Sequence, residues 1–213
     1  MTLSKDADIL WQTALELARR SAEVSPRARK LPPLLFFTDP ERTPAPWRIV
    51  PHLPAGAGVV YRAFSRPDAR EGGLRLRAEC DLADVLLLVG KDEGLARDIA
   101  ADGVHLPEID LSRAEAIRMA NPSWIITGAL HRHLGDRTLR GLDAAVVSPV
   151  FPAGGASASK PDLGLWKANE VIESLPCPAY ALGGISSANA GWLLDTKACG
   201  IAGVDAIQKA FGG

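Results

Sequence analysis

Eight short apolar runs, each followed by a segment of helical patterning, predict an α/β chain folded as a (β/α)8 TIM barrel, one domain with an extra N-terminal helix. The runs recur at intervals of about 20 to 35 residues, which leaves room for a crossover helix and therefore describes parallel βα units. The 213 residues suit one domain and lie near the lower end of the usual barrel size. The third observation is where the glycines fall. A doubly wound open sheet carries its phosphate-binding glycines after the first strand, whereas here a glycine pair follows the seventh apolar run.

The elements follow in order. Residues 7–19 space Ile9, Leu10, Ala14, Leu15 and Leu17 helically, which predicts an amphipathic helix. A basic, Pro-rich connector follows, so 1–30 reads as helix and linker and 31–213 as barrel. LLFFT (34–38) is the first strand, ended by Asp39-Pro40, and a short helix is expected around 47–50. GVVYRA (58–63) is the second strand, with a helix from about 66 to 80. VLLLV (85–89) is the third, followed by a helix across 94–101. GVHL (103–106) is the fourth; a helix from 110 to 120 follows, with Ser112 and Glu115 at capping-box spacing. WIITGA (124–129) precedes a short helix containing 136–141, and 144–150 precedes a helix over 165–175. The seventh strand, 179–182, leads into a helix over 186–197, and the eighth, 200–204, into one over 206–211.

Bulk properties exclude several functions. Apolar content of 47% with 23% charged residues is ordinary for a globular protein with a filled core. A net charge of −1 without a Lys/Arg run gives no electrostatic footprint for nucleic acid. Three widely spaced cysteines, Cys80, Cys177 and Cys199, read as reduced, buried thiols. The opening MTLSKDADILWQ has no apolar leader core and no run reaches membrane-spanning length, so a cytoplasmic protein is expected.

Chemistry is expected at the C-terminal strand ends, which share one mouth in a barrel. The sixth strand leads into a Gly/Ala/Ser-rich loop with one lysine, Lys160. The seventh ends in Gly183-Gly184, with Ser186 opening the expected helix. A glycine pair lets a ligand approach the backbone, and helix N–H groups suit an anion.

The succession GVHLPEIDL, GALH, VSPVFP with a downstream lysine, ALGGI and GIAGVDAI resembles the thiamin phosphate synthase and thiazole tautomerase family of barrels, over roughly 34–207. In synthases of that family a pyrimidine pyrophosphate loses its leaving group and a thiazole phosphate nitrogen captures the cation, with Mg2+ neutralising the pyrophosphate. The resemblance implies those small-molecule substrates, a homodimer, and roles for particular residues. Arg62 falls on the family's strand-two arginine, Lys160 on the lysine after strand six, Asp110 on a magnesium aspartate, and Gly183 and Gly184 on the thiazole-phosphate glycines. His105 and Glu108 lie in the strand-four motif, and His131 or His133 falls where tautomerases carry a proton-shuttling histidine.

The departures are as informative. A Gln before and a Lys after the strand-two arginine become Val60 and Phe64, and the Asn-Asp after strand three becomes Gly90-Lys91, a cation for a metal ligand. Gly-Gln after strand four becomes Pro107-Glu108, and a strand-five serine becomes Leu130. The strand-eight serine becomes Asp205, which would repel a phosphate unless turned away or paired with Lys209 or Lys160. Structural readings stand beside the functional ones. His105 also suits a core position, Arg62 an ion pair with Asp39 or Glu108, and Asp110 a place near a helix N-cap. Three functions stay open: a synthase-type transferase, a metal-free tautomerase, and a non-catalytic ligand-binding or regulatory barrel.

Overall fold

The computed structural model describes residues 3–64, 66–131, 139–153 and 161–212. Its strands are β1 (Leu34–Phe37), β2 (Gly58–Tyr61), β3 (Leu86–Gly90), β4 (Gly103–Leu106), β5 (Ile125–Leu130), β6 (Ala144–Val147), β7 (Ala179–Leu182) and β8 (Gly200–Gly203). All pair in parallel with their sequence neighbours, and β8 returns to β1, which closes the barrel in chain order. Strands enclosed on both faces explain the uninterrupted apolar runs that mark them in the sequence. Gly103 fixes one tight spot: a Cβ there would run into the backbone of Ile125 on the next strand.

Two apolar layers result. Inside the barrel, Leu35, Phe37, Val60, Leu88, Val146 and Tyr180 pack together, and the buried Tyr180 hydroxyl donates to the Pro32 carbonyl at 2.7 Å. Outside, a larger layer joins the strands to the helices α1 (Lys5–Val24), α2 (Ala69–Ala83), α3 (Glu93–Asp98), α4 (Ala114–Ala120), α5 (Gly164–Glu173) and α6 (Asp205–Phe211). The three thiols are buried, and burial pushes Cys80 up to about 12 and Cys177 up to about 11. Among the described residues no helix is long and apolar enough to cross a membrane.

The N-terminal helix buries Ala7, Leu10, Ala14 and Leu17, a spacing of three and four residues. Leu15, expected in that face, is half exposed instead. The buried face lies against β8, β1, α6 and the turn Ala190–Asp195. Ser4 caps α1 by accepting from the Ala7 N–H at 3.2 Å, and its hydroxyl donates to the Ala210 carbonyl of α6 at 3.0 Å.

Two expected helices and one expected strand are corrected. The segment 110–120 is a 3-10 helix, Glu108–Arg113, followed by α4, whose N-cap Arg113 makes no side-chain capping bond; Ser112 and Glu115 form no capping box. The region 186–197 forms only the 3-10 turn Ala190–Asp195. Asn189 Oδ1 accepts from the Ser186 N–H at 2.8 Å while its Nδ2 donates to the Gly184 carbonyl at 2.9 Å, a local alternative to a helix start. The sixth strand stops at Val147, because Pro149 has no N–H to extend the ladder. The chain then follows the end of β7, with Val150 and Phe151 N–H groups donating to the Leu182 and Gly183 carbonyls at 2.9 and 3.0 Å.

Candidate active site

Side chains alternate between the inside and outside of a barrel. From Leu35, Val60 and Leu88 in the interior, two residues further on brings Phe37, Arg62 and Gly90 to the C-terminal mouth. His105, Ala129, Ser148 and Leu182 arrive there from β4 to β7, and together these residues wall a cavity of about 760 Å³. The cavity leans toward β2–β4, where Phe64, Lys91, Arg97 and Arg113 complete it.

Arg62 is anchored from several sides. Its backbone N–H donates to Thr38 Oγ1 at 3.0 Å, its Nε donates to the Thr38 carbonyl at 2.6 Å, and Nη2 lies 3.5 Å from Asp39 Oδ2. The guanidinium carbon sits 5.6 Å from the Phe37 ring centroid and 5.5 Å from that of Phe64. Burial pulls its pKa down from the usual value, with Asp39 opposing, yet a guanidinium stays charged. Gly90 gives it room, since a Cβ there would stand 3.1 Å from Arg62 Cγ. The expected structural pair with Asp39 therefore coexists with a place on the cavity wall.

The wall is cationic. Arg62, Lys91, Arg97 and Arg113 face two carboxylates, Asp92 and Glu93. Asp92 Oδ1 accepts from the Leu95 N–H at 2.9 Å and caps α3, and Glu93 is paired with Arg113 and, at 3.4 Å, with Arg97. Lys91 has no acidic partner among the described residues and stands at φ +68°. Its backbone N–H donates to the His105 carbonyl at 2.8 Å.

The two histidines of the wall differ. His105 is buried, with Nδ1 3.0 Å from Thr127 Oγ1 and its ring edge-on to Phe37 at 4.8 Å. Burial, reinforced by the Arg62 charge, lowers its pKa to about 3, so it is neutral near pH 7. His131 is half-buried; its Nδ1 lies 3.0 Å from the Ser148 carbonyl and 3.2 Å from Ser148 Oγ. A carbonyl only accepts, so Nδ1 carries the proton and Nε2 of the neutral ring is the unprotonated nitrogen.

Other sequence candidates lie elsewhere. Gly183 and Gly184 adopt φ +103° and +65°, but their open sides face the β6 loop: a Cβ would come within 2.8 Å of Pro149 on Gly183 and of Phe151 on Gly184. Only Leu182 of this stretch lines the cavity, and Ser186 opens no helix. Asp205 Oδ2 accepts from Arg42 Nη1 at 2.9 Å, and Arg42 also holds Asp39 at 3.1 Å; among the described residues the partner is Arg42 and not Lys209. Hydrogen bonds from Arg42 and nearby backbone outweigh burial and lower the Asp39 pKa. Lys160 and His133 lie outside the described residues. Sequence reasoning overlooked Arg42, Arg97 and Arg113, which stand on loops and helices where no motif marks them; their position just after strand ends was the available signal.

A resident magnesium does not fit this donor set. Asp110 has a buried Oδ2 without a hydrogen bond among the described residues, but neither it nor Glu108 lines the cavity. No three His, Cys, Asp or Glu side chains among the described residues come together as a metal site, and Lys91 presents an ammonium to the wall.

Residues 51–207 match the thiamine monophosphate synthase family. The thiamine-phosphate synthase of Chlorobium luteolum is 32% identical over 189 residues, covering 84% of this chain and 86% of that protein. That of Methylococcus capsulatus is 34% identical over 162 residues, covering 71% and 70%. That of Methanocella arvoryzae is 32% identical over 138 residues, with 63% and 64% covered. The solved thiamine phosphate pyrophosphorylase from Pyrococcus furiosus shares the fold at a TM-score of 0.70 and 25% identity, over 86% of this chain and 93% of that one. With the closed eight-stranded barrel and three quarters of its sequence inside the family match, this chain belongs to the thiamine monophosphate synthase family.

Proposed function

We propose that the chain is a transferase of the thiamine-phosphate synthase type, joining a pyrimidine diphosphate to a thiazole phosphate. The observation that carries this reading is the cavity wall, where four cations meet two carboxylates that are both already engaged. In the reaction the C–O bond to the diphosphate breaks and both electrons leave with the oxygen. The thiazole nitrogen lone pair then forms the new C–N bond, and no proton moves. Positive groups fixed before the reaction stabilise the charge that grows on the departing oxygen, without reorganisation at that moment. Arg62, braced by Thr38, Asp39 and two aromatic rings, is suited to this work. The Arg42–Asp205 pair supports a phosphate at the β7–β8 side, because it neutralises the carboxylate that follows β8 at the start of α6 and would repel it.

The test is product formation from both substrates, together with binding of each alone. Binding of both with formation of thiamin phosphate is expected. Failure of the pyrimidine diphosphate to bind would remove the transferase reading. A second reading, a thiazole tautomerase, is favoured by His131, whose Nδ1 is held by the Ser148 carbonyl and whose Nε2 is left to accept a proton. It predicts binding of the thiazole phosphate alone and a loss of isomerisation in His131→Asn.

A further inference from the structure

We propose that Lys91 holds the diphosphate group in the place of a divalent cation, so that this cavity binds a polyphosphate anion without magnesium. The inference rests on the transferase reading for the identity of the group, and its test does not depend on turnover.

Three observations support it. First, Arg62, Arg97 and Arg113 each have a carboxylate partner, whereas Lys91 is a cation of the wall with none among the described residues. Second, Lys91 and Arg62 come from adjacent strand ends. Tyr61 pairs with Val89, so Arg62 stands opposite Gly90 and Lys91 is one residue further on. Glycine at 90 lets the Arg62 stem pass with Cγ 3.1 Å from where a Cβ would be, so that two cations from neighbouring strands serve one cavity. Third, the acidic side chains of the wall are not available to a metal. Asp92 caps α3, and Glu93 is held by two arginines. An ammonium beside those groups raises the cost of placing a dication there, while it lowers that of a bare polyanion.

Backbone geometry separates charge from shape in the test. Lys91 occupies a left-handed conformation that glycine adopts without strain, so Lys91→Gly removes the cation and leaves the loop its path. Inorganic pyrophosphate is titrated by calorimetry into the full chain, once with EDTA and once with excess magnesium. Binding with EDTA is expected, with magnesium giving no gain. Lys91→Gly is expected to weaken it by about tenfold or more, and Lys91→Arg to stay within about threefold of the parent. Circular dichroism checks that both variants fold, and Lys91→Gln replaces the glycine variant if it does not. Binding only in the presence of magnesium, no binding in either condition, or unchanged affinity in the uncharged variant would each overturn the proposal; the last result would show a solvated surface lysine. Pyrophosphate binding without product formation would sink the transferase reading and leave this one standing, and strictly magnesium-dependent synthesis would do the reverse.

Discussion

His105 illustrates how one buried ring ties the site to stability. It bonds Thr127, lies edge-on to Phe37 and faces the Arg62 charge, and its pKa falls from 6.5 to about 3. Between those values the unfolded chain binds a proton that the folded chain does not, so stability drops as pH is lowered from about 6.5 toward 3. The full effect is on the order of 5 kcal/mol at most. Urea midpoints measured at pH 7 and pH 4 should fall further in the parent than in His105→Gln; an equal fall would assign the titration to other groups, Asp39 among them. Lys91 gives a second prediction at this scale. A non-glycine residue in the left-handed region costs about 1–2 kcal/mol, so Lys91→Gly should raise stability by up to that amount while losing anion affinity. A destabilised variant would mean that the lysine stem braces the loop.

At the scale of elements, the strands were legible because burial on both faces leaves an unmistakable apolar run, and GVHL and LLFF each became a fully buried strand. The helices were less so. Residues 186–197 carry apolar residues at usable spacing, yet the Asn189 side chain binds both Ser186 and Gly184 and the segment closes as a 3-10 turn. The site divides the same way. Arg62, His105 and His131, singled out through the family resemblance, line the cavity, whereas Gly183 and Gly184 stand beside the β6 loop and outside the cavity lining. Packing contacts between loops distant in sequence leave no local pattern. Gly184 therefore yields a prediction contrary to a tolerant surface position. With φ +65° and Phe151 2.8 Å from a Cβ, Gly184→Val should destabilise the fold by about 2 kcal/mol or more. An unchanged thermal midpoint would show that the β6 loop yields at no cost.

For the whole molecule, the open question is whether the N-terminal helix is an appendage or part of the barrel. The family match begins at residue 51, leaving α1 and β1 outside it, yet β1 pairs with both β2 and β8 and the barrel cannot close without it. The helix is continuous with that closure: Ala7, Leu10, Ala14 and Leu17 belong to the same apolar layer as Leu34, Phe36 and Ile201, and Ser4 bonds α6 at the other end of the chain. The last helix has seven residues, too few to cover β8 and β1, and α1 lies over the same strands. A segment that shields the closing strands should unfold with them. Truncating one fully buried leucine costs about 2–5 kcal/mol through lost burial and the cavity left behind. Leu17→Ala, at 0% exposure, is accordingly expected to lower the stability of the entire barrel by that amount, read from urea unfolding as one transition seen alike by far-ultraviolet dichroism and by tryptophan fluorescence. An early, separate loss of helical signal with the barrel midpoint unmoved would make residues 1–30 a unit apart from 31–213.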